Sequence, residues 1–347
     1  MPNAVYKTDV SSTTIPRIAL IGCGAIAEAY YLPALARHPA VMRNLILVDN
    51  DLARAHQMAS KFNGNYVLSD YRETLKTVEG AIVALPSHLH HPISMDFLSH
   101  GIPVLCEKPL AESADKATEM VEEAYRTGAV LAVDYLQRLI PSFAKVKELL
   151  TEGTLGKPLL LQYFVGEEFD WPTVSGFYFN SKVSARGVLR DRGAHVMDHI
   201  CWWLGRKPNL LSSQIDSYGG SDAVAHVQFE HDKCLGEVKL SWLSKFPCTF
   251  MIKCEAGTVK GDVYDYQHIV LAPRSGRKKR IQLPYVTKAE IGFTLVTNFI
   301  NAIGNAAKPL IVGSDVLDSV QFVDECYKAA TRFDMPWYEV LEGQGGV

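Results

Sequence analysis

Ile18-Ala-Leu-Ile-Gly22-Cys-Gly24-Ala25-Ile26-Ala27-Glu28 decides how the first part of this chain folds. Four apolar residues run into two glycines two positions apart, and a small residue follows three positions after the second. A buried strand must turn sharply at Gly22 and enter a helix near Ala27. Gly22 permits the tight turn, Gly24 lets a ligand approach backbone amides at the helix N-terminus, and Ala27 keeps helix and strand close. By itself G-x-G-x-x-A is weak, because any sharp strand-to-helix turn favours glycine. Its setting adds weight: it opens the first strand–helix unit, and the next apolar run ends at Asp49. Gly22, Gly24, Ala25 and Ile26 are therefore candidate contacts of a dinucleotide pyrophosphate. Asp49 is the candidate acceptor for the adenosine ribose hydroxyl, and its charge favours NAD over NADP. Asp51 is expected to cap the following helix; Arg54 is the nearby residue that could serve a 2′-phosphate instead.

Working outward, short β-branched runs at 18–21, 45–48, 66–68, 81–85, 104–106 and 130–133 alternate with helical stretches at 28–37, 53–62, 94–100 and 114–125. Such alternation predicts a doubly wound parallel sheet covered on both faces. After Gln137 the texture changes to a helix at 143–152, a strand at 159–165, an aromatic loop-like segment at 169–179 and a helix at 193–204. Consecutive short strands at 223–229, 235–243, 249–254 and 269–272 predict a mainly antiparallel sheet. Helices at 290–303 and 314–331 close the pattern. The expected division is a nucleotide-binding domain at 15–136 and a substrate-binding and oligomerisation α+β domain at 137–335.

Composition bounds the partners. A chain of 347 residues exceeds what one hydrophobic core supports, which suits two domains. The net charge of −3 argues against a nucleic-acid or membrane-surface partner. The basic run 274–280 reads as a solvated hairpin tip. No apolar stretch approaches the roughly 20 residues needed to span a bilayer, and residues 1–16 lack the apolar core of a signal peptide. Seven cysteines without a C-x-x-C suit a reducing compartment, so a cytoplasmic location is expected.

Two further stretches carry the chemistry. In Gly101-Ile-Pro-Val-Leu-Cys-Glu107-Lys108-Pro109-Leu110 a buried strand ends on a charged pair. Placing those charges at the carboxyl end of a parallel strand is costly unless they pair or act, and that edge is where ligands bind in open α/β sheets. Lys108 is thus a candidate catalytic or cofactor-handling residue. Leu85-Pro86-Ser87-His88-Leu89-His90-His91 reads as a loop at the nicotinamide half of the cofactor; no carboxylate or cysteine stands at ligand spacing, so no metal is expected. In Arg190-Asp191-Arg192-Gly193-Ala-His195-Val-Met-Asp198-His199, helical spacing puts Asp191, His195 and Asp198/His199 on one face. That face could orient a catalytic imidazole, ligate a metal, or consist of a capping aspartate and a buried histidine.

Taken in order, Gly22–Ala27, Pro86…His90, Glu107-Lys108-Pro109, Arg138…Pro141, Gly153-Thr-Leu-Gly156 and Asp191-x-Gly-x-His195-x-x-Asp198 resemble the Gfo/Idh/MocA family, over about 17–332. The resemblance implies a Rossmann domain followed by a C-terminal domain with an open sheet often used for oligomerisation, as a homodimer or homotetramer. It implies nicotinamide-dependent redox chemistry on a sugar, polyol or nucleotide sugar. It also implies Lys108, Asp191 and His195 as the catalytic set; Leu85, Pro86, His90, Glu107 and Lys108 as cofactor contacts; and a cis peptide before Pro109. Arg186 and Arg192 depart from the family pattern. With Arg190 they either pair with Glu167, Glu168 or Asp170, or recognise an anionic substrate. Trp171, Phe177 and Tyr178 could stack on a sugar ring or pack under the loop. Two other classes fit the same scaffold: a lyase or hydrolase that oxidises its sugar transiently, and a non-catalytic NAD/sugar sensor.

Overall fold

The computed structural model describes residues 15–171, 187–216 and 221–333. Two sheets form among them. The first is fully parallel, built from β1 (Ile18–Ile21), β2 (Ile46–Val48), β3 (Tyr66–Leu68), β4 (Gly80–Val83), β5 (Val104–Glu107) and β6 (Leu131–Asp134), in the order β3-β2-β1-β4-β5-β6. Every residue of β1, β4, β5 and β6 is buried. Helices on both faces demand this, so those strands read as unbroken apolar runs. Strand order reverses between β1 and β4, which opens a crevice at their carboxyl ends.

The connections are helical. The turn after β1 enters a π-helical segment, Ala27–Tyr31, that runs into α1 (Leu32–Ala36). A short helix absent from the sequence reading, α2 (Pro39–Asn44), follows with proline at its first position, where a missing N–H costs nothing. α3 (Leu52–Phe62) is capped as expected, Asp51 accepting the Arg54 amide at 3.2 Å. α4 (His90–Ser99) and α5 (Ala114–Thr127) complete this half.

Through α6 (Pro141–Thr151) the chain enters a nine-stranded sheet of mostly antiparallel pairs. Its strands are β7 (Pro158–Gly166), β8 (Asn209–Ile215), β9 (Val224–His231), β10 (Cys234–Ser241), β11 (Phe246–Cys254), β12 (Gly257–Asp262), β13 (His268–Pro273), β14 (Lys279–Gln282) and β15 (Thr331–Arg332). They lie in the order β14-β13-β12-β11-β7-β10-β9-β8-β15, with β7–β10 and β8–β15 parallel. The run 274–278 is the exposed tip between β13 and β14, as its charge suggests. On β10 the apolar face, Cys234, Val238 and Leu240, is buried in the core shared with α7 (Val188–Leu204). A helix of the same chain covers that face, so it needs no second copy. The opposite face bears Leu235, Glu237 and Lys239.

After the second sheet, α8 (Lys288–Ile303) returns to the first. Phe293, Val296, Phe299 and Ile300 share one core with Ile18, Leu20, Tyr31 and Leu35. His38 hydrogen-bonds Thr297 at 2.8 Å and stacks on Phe293 at 4.9 Å. α9 (Leu317–Lys328) packs against both α5 and α7. The last helices thus bind the two sheets together.

Candidate active-site cleft

A cleft of about 1200 Å³ runs along the carboxyl edge of the first sheet and ends against α7 and the second sheet. At one end stands the glycine turn. Gly22 has φ +100°, and a Cβ there would sit 2.3 Å from the Ala84 carbonyl oxygen, so glycine is required. A Cβ on Gly24 would meet nothing within 4 Å; it faces open space beside Ala25 and Ile26 on the cleft wall. This is the bare backbone concavity that a pyrophosphate needs. Asp49 lies at the end of β2, also on the wall. Its Oδ2 accepts the Cys23 amide at 2.8 Å and its Oδ1 the Asp51 amide at 2.9 Å. The same carboxylate therefore locks the glycine turn to β2, a role its position in the sequence did not disclose. Arg54 and Arg72 border this end too, each ion-paired with a neighbouring aspartate, Asp51 and Asp70, at 3.3 Å. These residues fit a dinucleotide.

At the other end the sheet meets α7. Lys108, one residue beyond β5, reaches across to Asp191: Nζ lies 2.6 Å from Oδ1 and 3.2 Å from the Asp191 carbonyl oxygen. The Lys108–Pro109 peptide is cis. Burial pushes the Asp191 carboxyl up, but the Lys108 charge and hydrogen bond, with Arg192, bring it below its ordinary value. His195, one turn along α7, lines the cleft. Burial, then Lys108, His199 and Arg192, hold its imidazole well below the usual range, hence neutral. Its Nδ1 has no hydrogen-bond partner among the described residues.

α7 starts earlier than its sequence suggests, at Val188, which puts Asp191 in the first turn and not at the cap. The capping group comes from far away. Asp222 accepts the Gly187 and Leu189 amides at 2.8 and 2.9 Å, and Tyr327 holds it by a 2.9 Å bond. Local sequence gives no sign of it.

Other candidates are diverted from the cleft. Asp198 forms a bidentate pair with Arg138, at 2.8 and 2.6 Å, that ties α7 to the segment after β6. His199 is fully buried among Phe143, Tyr163 and Trp203, its Nδ1 3.0 Å from the Tyr163 hydroxyl. Burial, then Arg138, pushes it down to about 3. No group of three potential metal ligands occurs among the described residues. His90, expected at the cofactor, is buried behind the wall, its two ring nitrogens 2.8 and 2.7 Å from the Pro109 and Leu85 carbonyl oxygens. It fastens the Leu85–Pro86 loop to the cis proline, while Leu85, Pro86 and Glu107 do line the cleft.

Arg192 pairs with Glu167, which also accepts from the Tyr264 hydroxyl, so its charge is offset. Glu168 pairs with Lys245 at 3.1 Å. Arg190 is buried, 3.7 Å from Glu112 and with its guanidinium over the Tyr327 ring. Arg186, Phe177 and Tyr178 lie outside the described residues. Trp171, Tyr264 and Tyr266 line this end of the cleft, with Tyr30 opposite.

Comparison with known proteins agrees with this geometry. Residues 16–135 match the sequence model of an oxidoreductase family with an NAD-binding Rossmann fold, and 143–260 match the Gfo/Idh/MocA C-terminal domain. The chain belongs to the Gfo/Idh/MocA oxidoreductase family. Among its relatives, inositol 2-dehydrogenase 4 of Saccharopolyspora erythraea is 32% identical over 201 residues, 56% of each chain. D-glucoside 3-dehydrogenase of Escherichia coli is 29% identical over 204 residues, 57% of this chain and 56% of that one. The chain spans little more than half the length of these curated relatives. Among solved structures, a levoglucosan dehydrogenase in complex with NADH and levoglucosan superposes with TM-score 0.80 at 18% identity, covering 90% of this chain and 96% of that one. A 3-ketoreductase from Actinomadura kijaniata, in complex with NADP and TDP-benzene, does so with TM-score 0.80 at 19% identity, over 93% and 100%. These two structures share the fold and differ in the nicotinamide cofactor they hold. No helix among the described residues is long and apolar enough to cross a membrane.

Proposed function

We propose that this protein is an NAD-dependent oxidoreductase acting on the CH–OH group of a sugar, polyol or nucleotide sugar. The supporting observation is the Lys108–Asp191 contact across the cleft that also holds the glycine turn. Gly22, Gly24, Ala25 and Ile26 would hold the pyrophosphate, Asp49 the adenosine ribose, and Leu85, Pro86 and Glu107 the walls beyond. Bound nicotinamide supplies the hydride acceptor or donor.

The remaining work falls to side chains. A hydroxyl cannot give up hydride without losing its proton, so an acid/base group must lie within hydrogen-bond reach of that oxygen. Lys108 and His195 are the groups to exchange the proton, and the Lys108 ammonium would stabilise alkoxide charge as it develops. Asp191 aims Lys108. Neutral His195, which lines the cleft, can accept a proton from or donate one to the sugar oxygen according to its tautomer. Because Arg192 is already paired, a neutral hydroxylated ring over the Trp171, Tyr264 and Tyr266 surfaces suits the cleft better than an anion. The division at 136/137, a cytoplasmic location and assembly into a homodimer or homotetramer through the outer face of the second sheet belong to the same reading. On that face Leu211 and Leu235 are more than half exposed.

A screen of sugars and nucleotide sugars with NAD, followed at the nicotinamide absorbance band, tests the proposal. Net reduction of NAD with one class of sugar is expected. Product formation with no net absorbance change would replace it with transient oxidation in a lyase or hydrolase; binding without turnover would point to a sensor.

A further inference from the structure

Below Lys108 lies a group of oxygens to which the mechanism above gives no part in moving the proton. Glu107 ends β5, Asp134 ends β6, and the two are register partners. Between them, from the helical segment after the glycine turn, comes Tyr31. Its hydroxyl lies 2.9 Å from Glu107 Oε1 and 2.7 Å from Asp134 Oδ2. A phenol has one proton and can donate to only one of these acceptors at a time. With both carboxylates ionised, one contact would set lone pair against lone pair. No water relieves it easily: Tyr31 is 1% exposed, Asp134 3% and Glu107 7%. The other two oxygens are occupied as well, Glu107 Oε2 by the Lys108 amide at 3.0 Å and Asp134 Oδ1 by the Leu136 amide at 3.2 Å. One additional proton satisfies every contact, as a chain of carboxylic acid, phenol and carboxylate.

We propose that Glu107, Tyr31 and Asp134 hold one shared proton at neutral pH and act together as a positioning element for Lys108. The charge environment agrees. Burial first, and then Asp134, push Glu107 upward, and burial does the same to Asp134. The titratable and charged groups around the chain are Tyr30 beside Tyr31 and Cys106 and Lys108 on the β5 side; from α7, Arg192 acts on Tyr30 while Asp191 and His195 act on Lys108, and Lys288 of α8 stands near His195. With the proton in place the cleft floor carries a single negative charge, and Asp191 is the stronger partner of the Lys108 ammonium. Loss of the proton puts a second negative charge below Lys108 that competes with Asp191, and draws the ammonium away from the reacting oxygen. Only the last step rests on the oxidoreductase reading.

Infrared spectroscopy of the full chain without substrate tests the proton directly. The wild-type minus Glu107→Gln difference spectrum at pH 7 should contain a carboxylic-acid carbonyl band that disappears as pH rises; its absence at pH 7 overturns the shared proton. Asp134→Asn, which also leaves one neutral partner, should remove the same band. The link to Lys108 is read by reductive ¹³C-methylation, the resonance being assigned with Lys108→Met. It should shift with pH at the midpoint of the infrared band, and not in Glu107→Gln; an unchanged titration overturns the positioning role. Once a sugar is known, the alkaline fall in the wild-type kcat profile should share the midpoint of the infrared band and be lost in Asp134→Asn. The infrared band together with no turnover on any sugar would count against the oxidoreductase reading and leave the shared proton standing.

Discussion

Replacing Lys108 by methionine separates pairing from chemistry. The Lys108–Asp191 contact is 2.6 Å long, with side chains 18% and 24% exposed, between the surface and the core. Breaking a buried pair costs about 3–5 kcal/mol, whereas an exposed one contributes roughly 0.2–1 kcal/mol. Discounted for this partial exposure, Lys108→Met should destabilise the protein by about 2 kcal/mol, most of it from the Asp191 charge left without its partner. The double variant Lys108→Met/Asp191→Asn removes that charge and should recover most of the loss. Turnover should behave differently. As an acid/base group or alkoxide stabiliser, Lys108 should contribute about 10²–10⁴-fold to kcat, and the double variant should recover none of it, while NAD binding persists in both. The acid limb offers a check on sign. Asp191 is held below its ordinary value, so its contribution to stability is present above that value and lost as pH falls through the lowered one; Lys108→Met should abolish that part of the acid dependence. Urea midpoints, NAD fluorescence titration and kcat on the sugar found by screening are the measurements. Near-normal turnover in a folded Lys108→Met protein would refute the argument and move the chemistry to His195.

Gly22→Ala should fold less stably and lose NAD affinity by more than tenfold in fluorescence titration, because its Cβ meets the Ala84 carbonyl. Asp49→Ser should weaken NAD binding and relax discrimination against NADP; a wild-type protein that binds NADP more tightly would contradict the reading of Asp49. His199, held at about 3, stays neutral while the unfolded chain takes up a proton near its ordinary 6.5. Its share of stability is therefore complete above about pH 6.5 and lost as pH falls toward 3, and His199→Gln should show a shallower acid decline in thermal midpoint. Light scattering should find a dimer or tetramer at micromolar concentration, and a monomer would remove the assembly through the second sheet.

The first sheet was legible because both its faces are buried at every strand but the edge strand β3: each strand is a short apolar run, and each run ends at a turn or a polar residue. Strands 66–68 and 18–21 coincide with their expected spans. Legibility declined where structure depends on distant partners. β15 is two residues long and exists only by pairing with β8. The start of α7 was misplaced because its cap, Asp222, lies more than thirty residues away in a loop of unremarkable sequence. Helical spacing put Asp191 and His195 on one face, and both line the cleft, but it could not show that Asp198 and His199 turn to Arg138 and an aromatic core. Tyr31 was invisible as a polar group. It looks like one more apolar residue of its helix, and its two carboxylates stand 76 and 103 positions downstream.

The return of α8 to the first sheet has a consequence for how the chain is made. Some 150 residues separate β6 from the helix that covers Leu20 and Leu35. At roughly 5–20 residues per second of synthesis, the nascent sheet waits on the order of 10–30 s for its cover. During that time an apolar face is open beside the ribosome, and a chaperone would find it there. A stop placed at 136 would make the exposure permanent, giving an aggregating fragment in place of a separable nucleotide-binding module.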